Sequence, residues 1–468
     1  MYKILWVSTL RNNSFGEVTK KYFDMIKKYS DYEVICIDTK DQRLFNTIIQ
    51  YNPDFLIILW NDMNIKNFSD QLYSIRDKWS GKFTPFVPID FENPIKNLLD
   101  YKCDFYLSLN EWATTILKNI FNKNVYTLEH IVSGFDELDK KTVKRELYGG
   151  KYDDHFIIGC VNANSSRKRL DLTIKAFNIF HKMNKNSILV LKTTNPDFNS
   201  VACNFLDLLK FTEYKENILI ITDYLSNTIL NKLYSSFDLM INTTDGEGFG
   251  LIPFEASLAG TLSILPYHTS FNALIEKDSN FLVNKCKKIP YEYARNTDDY
   301  EYISNGNTIR IIAQSSNNTQ TCLSFMGIQN NENTKLYILS HMNKPNTFDN
   351  IQSLSEVIDY NTSFQIGVTS DIKSLRYVLS ILDELTKYIK TEITYLNNES
   401  LKSYVGKDTP HVSIIDPQDI FDKMKYFYDN REEIDIENKK FKKYILEHYS
   451  EEVIYNKFKN ILDSNYQK

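Results

Sequence analysis

Six short apolar runs, KILWVS, EVICI, DFLIIL, PFVPI, DFYLSL and NVYTL, recur across residues 2–135, separated by stretches with helical spacing such as GEVTKKYFDMIKKY and WATTILKNIF. Such alternation predicts a parallel sheet covered on both faces by helices. Ligands of sheets of this kind sit beyond the carboxyl ends of the strands. That directs attention to the loops after Ser8, Trp60, Ile89 and Leu109.

A second series of strands begins at HFIIGCVN and continues through SILVLKTT and NILIITDYL to Asp238–Pro266, DLMINTTDGEGFGLIPFEASLAGTLSILP. This last stretch reads as strand, glycine-punctuated loop, helix and strand, a βαβ unit. Glu247 and Glu255 lie eight residues apart, with Gly246, Gly248 and Gly250 around the first. Glycines let the backbone pass close to a ligand with its N–H groups outward, and the positive end of the following helix suits a phosphate at the same place. Glu255, about one turn into the helix, is placed to accept two hydroxyl hydrogen bonds, such as those of a ribose. Two isolated glutamates would read as solvated acids. Here they come with Gly-Glu-Gly-Phe-Gly, Pro253 at the helix start and Ala-Gly before the next strand.

EGFGLIPFEA followed by SLAGT resembles the nucleotide-sugar site of the retaining family 4 glycosyltransferases, where it reads as a Glu-x7-Glu pattern. The resemblance implies an α/β protein of GT-B fold, two Rossmann-like domains facing a cleft. It implies that Glu247 holds sugar hydroxyls and Glu255 the ribose, while amides of Gly248, Phe249, Gly250 and Leu251 meet a diphosphate. It also implies transfer with retained anomeric configuration, no metal, and no cofactor other than the nucleotide diphosphate sugar as co-substrate.

In NANSSRKRLDLTIKAFNIF, Leu170, Ile174, Phe177 and Ile179–Phe180 mark the buried face of a helix, and Arg167, Lys168 and Arg169 crowd its N-terminus. Cations there oppose the helix dipole unless an anion lies between them and the amides. Family members carry an Arg and, about five residues later, a Lys that pair with the donor phosphates. Lys168 matches the Lys and is expected to be catalytic; Ala163 stands at the Arg position, leaving Arg167 to compensate, with Asn164 in the same loop. A solvated basic helix start is the plainer alternative. ITDYLSNTILNKLYSSFD resembles the loop that holds the nucleobase, which puts Thr222, Tyr224 and Leu225 near the base and Leu230, Leu233 and Tyr234 in the core.

On the first-domain side, the loop Thr9–Gly16 resembles the family loop against the phosphates and acceptor, without its usual Gly-Gly pair. Asp90, at the end of the fourth strand, is a catalytic candidate; otherwise it caps a helix beginning near Pro94. His130, in LEHIVSGFD, resembles the stretch that closes the first domain, where Gly134 and Asp136 fit a Gly-x-Asp turn. It is the remaining catalytic candidate, although a single loop histidine is more often incidental.

These readings divide the chain into a domain at 1–150, a nucleotide-sugar domain at 151–298 and 407–449, and a final amphipathic helix within 450–468 that crosses back to the first domain. Residues 299–406 depart from the family. Their strand-like runs TIRIIAQ, TCLSFMGI, KLYILSHM and FQIGVTS and the helical SLRYVLSILDELTKYI read as an inserted α/β module of open role.

A formal charge of -5, from 55 Lys plus Arg against 60 Asp plus Glu, argues against a protein that coats nucleic acid. No stretch reads as a membrane span, which leaves peripheral association open, and MYKILWVSTLRNN turns polar too quickly for a signal peptide. Six cysteines without CxxC pairing are expected to be reduced core residues, which suits a cytoplasmic protein. The function expected is transfer of a hexose-type sugar from a nucleotide diphosphate sugar to a glycan, lipid or protein acceptor. Its rivals are a degenerate sugar-nucleotide or glycan-binding protein, for which Ala163 and the insertion speak, and a nucleotide-sugar epimerase. The oligomeric state is open.

Overall fold

The structure, a computed structural model, describes residues 1–10, 13–92, 94, 99–194, 214–290, 299–304, 307–315, 321–328, 364–366, 391–394 and 411–466. Two six-stranded parallel sheets form its frame. The first contains β1 (Lys3–Ser8), β2 (Glu33–Asp38), β3 (Phe55–Leu59), β4 (Lys82–Val87), β5 (Tyr106–Ser108) and β6 (Val125–Thr127), in the order β2-β1-β3-β4-β5-β6. The second contains β7 (Phe156–Val161), β8 (Ser187–Lys192), β9 (Ile218–Ile221), β10 (Leu239–Ile241), β11 (Ser263–Pro266) and β12 (Leu282–Val283), in the order β12-β11-β10-β7-β8-β9. All the apolar runs read as strands in these two regions pair in parallel, and the α/β class with two Rossmann-like domains is the architecture observed.

In each sheet the chain starts near the middle, winds outward one way, returns and winds outward the other. The winding reverses between β1 and β3 in the first sheet and between β7 and β10 in the second. At such a switch point neighbouring crossovers lie on opposite faces and leave a crevice at the strand ends. Close packing below the second crevice depends on Gly159 in β7: a Cβ there would lie 2.1 Å from the Phe237 ring. β3 and β7 are buried along their whole length, as strands covered on both faces must be.

The helix Ser14–Tyr29 begins earlier than the loop reading placed it, because the Asn13 side chain caps it by accepting from the Gly16 N–H at 3.0 Å. Its apolar face, with Tyr22, Met25 and Ile26, packs on the first sheet. The last helix, Glu451–Asn465, follows Pro417–Asp429 and Arg431–Tyr449 and lies against it. The Phe458 ring is 6.4 Å from Tyr22 and 6.5 Å from Trp6, and Tyr455 stacks on Tyr29 at 5.2 Å. The chain thus ends on the domain with which it began.

β13 (Cys286–Pro290) pairs antiparallel with β19 (His411–Ile415), drawing together the two chain segments that flank residues 299–406. Between them β14 (Asp299–Ser304), β15 (Asn307–Ser315), β16 (Thr321–Ile328), β17 (Phe364–Ile366) and β18 (Thr391–Thr394) form an antiparallel sheet in the order β17-β16-β15-β14-β18. TIRIIAQ, TCLSFMGI and the FQI of FQIGVTS belong to it. KLYILSHM and the helix expected at SLRYVLSILDELTKYI lie outside the described residues.

Among the described residues no helix is long and apolar enough to cross a membrane. Cys36, Cys103, Cys160 and Cys286 are free thiols; Cys160 is buried as expected and the other three are half-buried.

Candidate functional site

The crevice between β7 and β10 receives the loops after both strands. The second loop, Asn242–Gly250, is built by its own side chains. The Asn242 Oδ1 accepts from the Thr244 N–H at 3.1 Å, the Thr244 hydroxyl donates to the Gly246 carbonyl at 2.9 Å, and the Glu247 N–H donates to Thr269 Oγ1 at 3.1 Å. His268 Nε2 lies 2.9 Å from the Thr244 carbonyl, which makes it the protonated nitrogen. Gly250 has φ +80° and starts the helix Leu251–Leu258; a side chain there would be strained and would meet the Phe271 ring at 2.6 Å.

The loop after β7 brings up the cations. Its last residues, Ser166–Lys168, form a 3₁₀ turn fixed by the Asp245 N–H donating to the Arg167 carbonyl at 2.8 Å and by the Thr243 hydroxyl at 3.0 Å from the Lys168 carbonyl. The turn aims Arg167 and Lys168 at one carboxylate. Arg167 Nη1 donates to Glu247 Oε2 at 2.9 Å and to the Gly246 carbonyl, and Lys168 Nζ donates to Glu247 Oε1. From the first domain, Asp90 Oδ2 lies 3.6 Å from Arg167 Nε. The third cation of the run, Arg169, has φ +46° and turns away to Asp171, with nitrogen to oxygen distances of 3.0 and 2.9 Å.

Two cations and two carboxylates therefore balance across the domain boundary. Burial pushes the Glu247 carboxyl up, but Lys168 and Arg167 outweigh it and hold the pKa down at about 2, so the group is ionised. Burial and the neighbouring Arg167 charge lower the Lys168 ammonium in spite of Glu247. An arriving dianion would find both cations already satisfied and would have to draw them from Glu247.

Two of the glycines let the first domain come close. A Cβ on Gly246 would lie 1.9 Å from the Asp90 carbonyl oxygen, and one on Gly248 would lie 3.1 Å from both Asp90 Oδ1 and Pro88 Cβ. Here it is the first domain that the bare backbone admits. The Asn110 side-chain amide also crosses the boundary, donating to the Gly248 carbonyl at 2.6 Å.

Glu255 faces the boundary one helical turn on. Its carboxylate is 3.6 Å from Lys21 Nζ, on the first helix, and 3.5 Å from the Tyr234 hydroxyl, and burial raises its pKa although Lys21 works against the rise.

Several expected site residues lie elsewhere or are already engaged. Phe249 is 3% exposed, its ring 5.1 Å from both His130 and Phe254, so its side chain is core. His130 is wedged between that ring and Phe86, and burial with the Lys21 charge lowers its pKa to about 3; it is a neutral, packed ring, because the aromatic cage cannot solvate an imidazolium. Gly16 lies in the first helical turn with its N–H given to Asn13, so that amide is taken. Asp90 stands three residues beyond β4, which ends at Val87, and the helix it would cap falls largely outside the described residues, as do Arg11 and Asn12.

Asn164 is buried, its N–H donated to Thr194 Oγ1 at 3.0 Å, and Ala163 is exposed. Thr222, Tyr224 and Leu225 lie between β9 and the helix Asn227–Ser236; Tyr224 is 66% exposed and Leu225 rests on the core. Leu251 opens its helix half-buried. Asn110, Lys21 and Thr269 were not singled out by sequence. Only Asn110 carried a signal, as the residue after Leu109 at a strand end.

No family model and no curated protein matches the chain. Among solved structures it is similar to Anabaena Alr3699/HepE in complex with UDP-glucose, at 14% identity and a TM-score of 0.48 over 61% of this chain and 86% of that one. It is also similar to a variant of S. aureus TarM in complex with fondaparinux, alpha-GlcNAc-glycerol and UDP, at 11% identity and 0.44 over 90% and 58%. A third is the catalytic domain of Arabidopsis thaliana starch synthase IV bound to ADP and acarbose, at 10% identity and 0.44 over 60% and 87%. No residue role rests on these likenesses.

Proposed function

We propose that the chain is a retaining glycosyltransferase that moves a hexose-type sugar from a nucleotide diphosphate sugar to a hydroxyl of a glycan, lipid or protein. The observation that carries this reading is Glu247 at the switch point of the second sheet, with a cation from the facing loop on each carboxylate oxygen. Breaking the sugar–phosphate bond leaves an oxocarbenium-like sugar and sends the bonding electrons to the diphosphate. Lys168 and Arg167 would then transfer from Glu247 to the departing diphosphate, where stabilising new negative charge lowers the barrier. Glu247, so released, would accept from sugar hydroxyls, and Glu255 from the ribose. Asp90 faces the same cluster from the first domain, on the side from which an acceptor would come. The reading invokes no metal and no cofactor, and the free thiols suit a cytoplasmic setting.

A non-catalytic sugar-nucleotide-binding protein is the second reading, favoured by Ala163 and by the full engagement of both cations with Glu247. Incubation with a panel of UDP-, GDP- and TDP-sugars, with and without acceptors, separates the two. Transfer predicts nucleoside diphosphate release that disappears in Glu255→Ala and Lys168→Ala. Binding without turnover across the whole panel would sink the enzyme and leave the binding protein.

A further inference from the structure

Lys21 lies in the middle of the Ser14–Tyr29 helix, on the first domain, and reaches across the boundary to the Glu255 carboxylate. The two side chains are 18% and 14% exposed, so the pair is largely withdrawn from water. At 3.6 Å the contact is an ion pair longer than a hydrogen bond, and the Lys21 ammonium, itself buried, has no hydrogen-bond partner. A buried ammonium with three donors unused is costly unless something else takes them. The nearby His130 Nδ1 is likewise buried without a partner. Two orphaned polar atoms thus accompany one incompletely bonded carboxylate at a single place between the domains.

We propose that Lys21 is a positioning residue for Glu255: it keeps the carboxylate charged and aimed across the boundary, ready to accept from the vicinal hydroxyls of a ribonucleotide. The inference rests on the reading of Glu255 as the ribose acceptor and adds the residue on which that role depends. Since Lys21 and Glu255 belong to different domains, the site is complete only when the domains are together. An open form would leave Glu255 without its cation.

The groups that set the charge of Glu255 are Lys21 and Glu17 on the first helix and Tyr234 on Asn227–Ser236. From the helix Arg431–Tyr449, Asn438 donates to the Ser257 carbonyl and the Tyr449 hydroxyl to the Leu274 carbonyl, so neither is turned to Glu255. Burial raises the Glu255 carboxyl, Glu17 raises it further, and Lys21 is the largest influence in the other direction. Without Lys21 the carboxyl would hold its proton to higher pH and lose acceptor capacity.

Two measurements on the full chain test this. In protein labelled with ¹³C at the glutamate carboxyl, the Glu255 signal, identified by its loss in Glu255→Gln, is titrated in the parent, Lys21→Met and Lys21→Arg. Lys21→Met should move the titration up by about one unit or more, which is a tenfold change in the proton equilibrium, and Lys21→Arg should leave it near the parent. An unmoved titration in Lys21→Met overturns the inference whatever the protein binds.

The second measurement is calorimetric binding of the ribonucleotides UDP and GDP from pH 5 to 9. Affinity should fall as pH is lowered and Glu255 takes up its proton, and the fall should begin at higher pH in Lys21→Met than in the parent. A uniform loss at every pH would make Lys21 merely structural and would also overturn the inference. If neither nucleotide binds the parent while the titration moves as stated, the donor-site reading fails and the positioning of Glu255 by Lys21 stands.

Discussion

The side-chain amide of Asn110 donates to the Gly248 carbonyl at 2.6 Å while its Oδ1 accepts from the Ala113 N–H at 2.9 Å. One residue thus caps the helix Glu111–Ile120 and ties the first domain to the glycine loop of the second. Asn110→Ala removes both bonds and should cost roughly 2–4 kcal/mol, the sum of a lost cap and a lost buried hydrogen bond. Asn110→Ser keeps a neutral cap acceptor for the helix and loses the donor to Gly248 without burying a charge beside that carbonyl. Chemical denaturation should place the Ser variant between the parent and Ala; a Ser variant as stable as the parent would mean the interdomain bond contributes nothing.

Glu247 gives a pH prediction whose sign follows from its depressed pKa. A carboxyl held below its unfolded value adds stability that is fully present above the unfolded pKa and is lost as pH falls through the folded one. Here the window runs from the ordinary value of 4.5 down to about 2. Stability measured by denaturation should fall across that window more steeply in the parent than in Glu247→Gln. At pH 7 the variant should be less stable by about 3 kcal/mol, because Arg167 and Lys168 are left largely buried with their shared partner neutral. Equal acid sensitivity of the two proteins would contradict the ion-pair assignment.

The docking of the last helix separates burial from charge. Phe458 is fully buried against Trp6 and Tyr22, whereas Lys28–Glu451, at 2.8 Å, lies on an exposed rim. Phe458→Ala should cost about 3–5 kcal/mol, and Lys28→Ala should leave stability close to that of the parent, because an exposed pair is screened by solvent. Limited proteolysis should release the C-terminal helix in the first variant and not in the second. Comparable release from both would place the docking energy in the rim.

What could be read from the sequence depended on how far apart the causes lie. The parallel sheets were legible because each strand announces itself within five or six residues, as DFLIIL does, and because alternation with helices restricts the topology. The glycine loop and Glu247 were legible as a motif. Their immediate partners were only half so: Arg167 and Lys168 stood out as cations where a helix dipole disfavours them, but their engagement with Glu247 spans some 80 residues of chain and leaves no local trace. Lys21 is one of four lysines in a helix whose apolar spacing predicts only its buried face. Nothing near it in sequence distinguishes the lysine that meets Glu255. At Phe249 the motif pointed to the backbone amide and left the ring unassigned, and the ring fills the core between His130 and Phe254.

The glycines of the loop supply the last prediction, because two of them meet the first domain at different depths. Neither Gly246 nor Gly248 has positive φ, so an alanine at either is free of backbone strain and the outcome depends on space alone. At Gly246 the added methyl would stand 1.9 Å from the Asp90 carbonyl oxygen, a backbone atom that can withdraw only if the first-domain loop or the whole domain moves. At Gly248 it would stand 3.1 Å from the Asp90 carboxylate and from Pro88 Cβ, where a shift of a few tenths of an ångström suffices. Gly246→Ala should therefore part the domains, weaken Arg167–Asp90 and Lys21–Glu255 together, and raise the radius of gyration in small-angle scattering. Gly248→Ala should scatter like the parent. Because the Gly246 substitution acts on the boundary rather than within either core, each domain should keep its helical circular dichroism. Loss of that signal in step with the expansion would show unfolding instead of opening, and unchanged scattering would mean that the loop, not the domain, yields.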